Sequence, residues 1–204
     1  MEDSKNTTVA PAMTSDCKEN FFIQEVRCTC HSLLRLTAEG RSVVLEVPYY
    51  QKEREEALSA LKAPENSDIT ATLITAEGIP DFILDSCFKK PLTMKDVAIF
   101  HEMILEFHDL ANFDMNRWER QVRMLQVNNF SDLNIVFDSS QLLHDFPDLH
   151  SKEQVITHLC SMTGSHKMAP YMERFTFLKT AAGMLMYTAR DQEMMDFMNR
   201  KKFF

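Results

Sequence analysis

The stretch Val155–Met198, VITHLCSMTGSHKMAPYMERFTFLKTAAGMLMYTARDQEMMDFM, decides how the chain is read. Its opening belongs to KEQVITHLCSM, which has the look of a helix, and Thr163, Gly164 and Ser165 then supply a polar break. APYMERFTFLKTAAGMLMYTA resumes as helix, and a further short helix is expected from Asp191 to Arg200. Residues 165–204 are therefore expected to form a helical tail. The tail is rich in Met and Phe, among them Met168, Met172, Phe175, Phe177, Met184, Met186, Met194, Met195, Phe197 and Met198. Flexible thioethers suit irregular gaps and adaptable interfaces. Short helices cannot bury so much apolar surface among themselves, so the body of the chain or a partner must cover it.

Upstream of this stretch, strands and helices alternate. FFIQEVRCTC, SLLRL and SVVLEV read as strands, with Gly40 forming a turn between the last two and Pro48 ending them. QKEREEALSALK sets Leu58 and Leu61 on one side of a charged helix, and ITATLIT and DFILDS read as strands. Pro91, Thr93 and Asp96 open an amphipathic helix whose buried face is Val97, Phe100, Ile104 and Phe107. A helix near Asn116–Val127 places Trp118, Val122 and Leu125 opposite Arg117, Arg120 and Arg123, and nothing in the sequence says whether those arginines meet phosphate, carboxylate or water. LNIVF, without alternation, reads as a strand covered on both faces, and SSQLLHDFPDL as a loop. The order of elements favours an α/β layered body. Residues 1–20 carry no periodicity and are expected to be a disordered tail.

The 204 residues, 45% hydrophobic and 25% charged, fit an ordinary globular protein able to bury a core without disulfides or metals. A formal charge of -8 excludes a polycation drawn as a whole to nucleic acid or anionic lipid. The five cysteines are odd in number and scattered, which suits a reducing interior. The first twenty residues resemble no export or mitochondrial leader, and no window is long and apolar enough to span a membrane. A soluble protein of cytosol or nucleus is expected.

Sites for chemistry are sparse. Cys28, Cys30 and His31 are soft ligands without the second pair that structural zinc needs, so buried inert cysteines are the simpler reading. His101 and His108 are seven residues apart, whereas a zincin helix needs four, which leaves solvated or capping histidines. Lys52–Glu56 has nuclease residue types without the strand end that would hold a metal. The four glycines, Gly40, Gly78, Gly164 and Gly183, are too dispersed for a phosphate loop. No catalytic residue, metal site or cofactor is expected, and no small-molecule substrate. Charge is distributed unevenly: Ser165–Phe204 carries +3 and the remainder -11. Such a basic end can hold a phosphate backbone, or can merely solubilise helices and complement a helix C-terminus at Arg200–Lys202.

The stretch quoted above resembles the short, catalytically inactive meiotic members of the XPF nuclease family. The likeness rests on the helix carrying Cys160, the polar break, Pro170-Tyr171, and Thr180-Ala181-Ala182, with PLTMKDVAIFHEMILEF, the tryptophan of NRWERQVRMLQ and LNIVF upstream in the family's order. It implies an XPF-nuclease-like central sheet flanked by helices over residues 21–164, without catalytic residues. A degenerate helix-hairpin-helix tail would occupy 165–204. It further implies a non-enzymatic subunit, nuclear and chromosomal, that pairs with an XPF-like partner similar to the Shortage-in-chiasmata protein. The pair would bind branched DNA and support meiotic crossing over and synapsis. On that reading Phe175, Leu178, Leu185 and Phe197 anchor the partner, and Lys167, Lys179, Arg190, Lys201 and Lys202 touch phosphates. The alternative is an intracellular interaction adaptor that makes no nucleic-acid contact.

Overall fold

The computed structural model describes residues 30–63, 68–107, 113–164, 169–188 and 192–201. The expected disordered tail, residues 1–20, and most of FFIQEVRCTC lie outside them. In chain order the elements are β1 (His31–Ala38), β2 (Arg41–Val47), α1 (Gln51–Leu61), β3 (Thr70–Glu77), α2 (Asp81–Cys87), β4 (Leu92–Thr93) and α3 (Met94–Glu106). There follow α4 (Met115–Met124), α5 (Phe130–Ser139), β5 (Leu143–Pro147), α6 (Lys152–Thr163), a 3-10 turn (Ala169–Arg174), β6 (Phe175–Thr180), β7 (Gly183–Thr188) and α7 (Gln192–Lys201).

The fold is α/β, with two antiparallel sheets of strand order β2-β1-β3-β4 and β5-β7-β6. The first sheet begins as a hairpin. Glu39 and Gly40 both have positive φ, 49° and 78°, which suits the two-residue turn closing Ala38 onto Arg41. Alternation then sorts β1: Ser32, Leu34, Leu36 and Ala38 are buried while Arg35 is exposed. Leu34 and Leu36 of this row pack with Leu45 and Val47 of β2 and Ala71 of β3 into one core with the helices.

Helix boundaries follow from local chemistry. Thr93 and Asp96 cap α3 reciprocally, Thr93 Oγ1 accepting from the Asp96 N–H at 3.2 Å and Asp96 Oδ2 from the Thr93 N–H at 2.9 Å. Val97, Phe100 and Ile104 are buried as expected, and Phe107 packs against the same core. Asp114 caps α4 by accepting from the Arg117 N–H. The helix then buries Trp118 and Val122, and Leu125 follows just beyond its end.

Three local expectations are corrected. LNIVF lies in α5, capped by Asn129, and DFILDS is α2. LNIVF is buried around most of its helix and DFILDS buries Phe82 and Ile83 between exposed Asp81 and Asp85, and an apolar run so short has no period that separates helix from strand. Part of SSQLLHDFPDL, expected as a loop, is strand β5.

The largest correction concerns the tail. FTFLKTAAGMLMYT is a β-hairpin, with Ala181 and Ala182 at the turn. β7 pairs with β5 as well as with β6, so the closing forty residues are not a separate helical lobe and the division at 164/165 separates partners in one sheet. β7 is the central strand and is buried on both faces. Leu185 and Tyr187 join the main core, whereas Met184 and Met186 form a second cluster with Val155 and Met172. Of the expected tail helices, Asp191–Arg200 corresponds to α7, packed against α5.

Candidate functional site

The residues expected to anchor a partner divide by burial. Leu185 and Phe197 are fully buried in this chain's own core, which corrects their assignment to an external interface: one sits on the central strand, the other on the inner face of α7. Phe175 and Leu178, both on the edge strand β6, are half-buried.

Of the five residues expected to touch phosphate, two lie among the described residues. Lys167, Arg190 and Lys202 lie outside the described residues. Lys179 is exposed on β6. Lys201 is already engaged: its Nζ is 2.9 Å from Asp132 Oδ2, donates to the Gln126 carbonyl at 3.3 Å and sits over the Phe197 ring. With its side chain 18% exposed, it joins α7 to α5.

The arginines of α4 meet carboxylates. Arg120 Nε donates to Asp145 Oδ2 at 2.7 Å, and Arg117 Nε lies 3.5 Å from the other oxygen of the same group. Arg117 Nη2 also donates to the Leu143 carbonyl, which Gln121 Nε2 shares, each at 2.6 Å. Arg123 pairs with Glu119 one turn back. Hydrogen bonding to Asp145 raises the already high pKa of Arg120.

Among the described residues the soft ligands do not converge. Cys30 Sγ donates to the Gly78 carbonyl at 3.1 Å, and His31 faces Glu77 at 3.6 Å. His101 Nδ1 accepts the Tyr49 N–H at 3.3 Å while its ring stacks on that tyrosine, 4.0 Å between centroids. Cys28 and His108 are outside the described residues. Among the described residues no three His, Cys, Asp or Glu side chains come together as a metal cage, and no helix is long and apolar enough to cross a membrane.

Clefts open at the surface in two places among the described residues. One, of about 540 Å³, lies beside the N-terminus of α5 and is lined by Cys87, Lys89, Lys90, Asp96 and Asn129, among others. Asp96 is held by its cap, and burial followed by repulsion from Asp96 and Asp132 pushes the Cys87 thiol up to about 12, so that thiol is not poised as a nucleophile. The other, about 300 Å³, adjoins Trp118, Arg117 and Ser140. The buried Trp118 N–H there has no hydrogen-bond partner among the described residues. Its indole lies among the rings of Phe82, Phe107, Phe113 and Phe137, whose π faces are weak acceptors.

The remaining feature is a sheet edge, and sequence reading missed it because it took β6 for helix. Sheet edges expose unpaired N–H and C=O groups and are ordinarily guarded. β4 is two residues long. β5 ends in Pro147, and its Leu143 carbonyl is filled by Arg117 and Gln121. β2 is drawn to α1 by Arg41, which donates to the Leu61 and Lys62 carbonyls. β6 has no proline, pairs with β7 without a break in register, and has no strand on its outer side among the described residues. Its signal in the sequence was Phe-Thr-Phe-Leu-Lys-Thr, apolar and polar residues in short alternation before Gly183.

No family model, curated protein or solved structure matches this chain.

Proposed function

We propose that this chain is a non-enzymatic binding module that acts through protein contacts. The observation that carries this reading is the position of the closing hairpin. β7 and α7 bury their apolar side chains in the chain's own core, while β6 beside them stays half-buried, with no strand on its outer side among the described residues. The charged groups point the same way. Lys201, Arg117, Arg120 and Arg123 neutralise Asp132, Asp145 and Glu119, and a cation so engaged does not release counterions from a phosphate backbone.

A second reading keeps the family resemblance: a subunit that pairs with an XPF-like protein and binds branched DNA in support of meiotic crossing over and synapsis, on chromosomes in the nucleus. It is favoured by the exposed Lys89, Lys90, Lys179 and Arg200, the first two lining the cleft beside α5. Its partner surface would be Phe175 and Leu178, the two anchors with surface to give.

Fluorescence anisotropy of a labelled forked duplex, at about 50 mM salt where phosphate contacts are strongest, separates the two. The module reading expects no saturable binding. Saturable binding whose log affinity falls against log salt with a slope of about -3.6, as for four neutralised phosphates, would establish the second reading instead.

A further inference from the structure

Resting on the binding-module reading, we infer that β6 is the docking edge, and that its occupant is an extended, acidic-flanked segment of a partner protein added as a fourth strand to the sheet β5-β7-β6. An exposed edge gives such a segment a ready ladder, because every second residue of β6 directs its N–H and C=O outward, away from β7. The mode supplies affinity through the main chain and selectivity through the side chains flanking the edge on each face.

Those side chains describe the occupant. The register with β7 sets Phe175, Phe177 and Lys179 on the face of Met184 and Met186, and Thr176 and Leu178 on the face of Leu185 and Tyr187. Phe175, Thr176, Phe177 and Leu178 are all half-buried, so each keeps apolar surface that an added strand would cover. Two cations stand by the first face: Lys179 is exposed at one end of β6, and the Lys152 ammonium stands 5.1 Å from the centre of the Phe177 ring. An incoming strand therefore gains from carboxylates beside Phe177 and Lys179 and from aliphatic side chains beside Leu178. A second copy of this chain fits less well, since antiparallel pairing of two β6 strands would gather two Lys179 and two Lys152 cations along one short ladder.

The test uses the full chain and a synthetic nine-residue peptide of alternating valine and glutamate with blocked ends. Amide hydrogen exchange of β6 should slow about tenfold at saturating peptide. The same peptide N-methylated at alternate amides should have no effect, and a valine-lysine peptide should bind more weakly. K179E should invert the preference between the acidic and basic peptides without touching the ladder, so the inference does not depend on a variant that unfolds. It is overturned if exchange of the outward β6 amides ignores the acidic peptide, if those outward amides are already protected in the dilute chain alone, or if their protection grows with protein concentration without peptide, which assigns the edge to a second copy. Failure here without binding to forked DNA removes only the edge; binding to forked DNA with no peptide effect removes the module reading itself.

Discussion

Arg120 and Asp145 form an ion pair 2.7 Å long that fastens the outer face of α4 to β5, and Arg117 reaches the same carboxylate from the preceding turn. One acid thus holds two cations, and its side chain is only 5% exposed while that of Arg120 is 47% exposed. Removing the acid and removing one base should have unequal effects. D145A leaves two guanidinium groups without their shared partner at the sheet edge and should lower stability by about 1–3 kcal/mol. R120A removes an exposed cation and should cost less than about 1 kcal/mol. Urea unfolding monitored by Trp118 fluorescence measures both; equal losses would show that Asp145 does not organise the pair.

The pH dependence follows from two histidines. Burial lowers the pKa of His101, with Glu102 opposing; burial and then Arg117 lower that of His144, with Asp145 opposing. The unfolded chain therefore binds these protons more readily than the folded one. Stability is fully present above the ordinary imidazole value of about 6.5 and is lost as pH falls from there through the lower folded values. Thermal unfolding from pH 7 to pH 5 should show Tm falling, and H101F, which keeps a ring to stack on Tyr49 but cannot gain a proton, should flatten part of that fall. An unchanged pH profile in H101F would remove His101 from the account.

Gly183 has a φ of +138°, and a Cβ placed there would meet the Phe146 carbonyl oxygen of the neighbouring strand. G183A should therefore destabilise the fold by about 2 kcal/mol or more. Gly40 also has positive φ, but a Cβ there meets nothing within 4 Å, so G40A should cost only its backbone strain, about 1 kcal/mol. Denaturant midpoints of the two variants compare the positions, and equal losses would mean that β5 does not crowd β7.

Cys87 is buried with its thiol pushed up to about 12, whereas Cys30 and Cys160 are half-exposed. Iodoacetamide at pH 8, where only about one Cys87 in ten thousand is thiolate, should label Cys160 readily and Cys87 only after unfolding. Peptide mass mapping reads the order. Early labelling of Cys87 would show that the cleft beside α5 is open to its floor.

Most of the first half was legible because one face of each element is wet. Leu34 and Leu36 alternate with Arg35, and Val97, Phe100 and Ile104 recur on α3, so period and burial agree. LNIVF and MLMYT were misread because α5 is enclosed on most sides and β7 on both. Burial erases the polar residues that mark a period, leaving Ala181-Ala182-Gly183 to read as helix when it turns a hairpin. The salt bridges of α4 were legible as an arginine row but not in their partner, since Asp145 stands in a segment whose sequence reads as loop. The β6 edge could be found only after the hairpin was known.

Native-state hydrogen exchange on the dilute chain alone tests the central claim most directly, that this protein closes its own core and offers an edge rather than an unfinished tail. The account predicts that β7 amides exchange with the slowest set, alongside β1 and α5, while the outward amides of β6 exchange much faster. Rapid exchange throughout β7 and α7, with protection confined to the elements before α6, would contradict it, because the closing segment would then need a partner to fold.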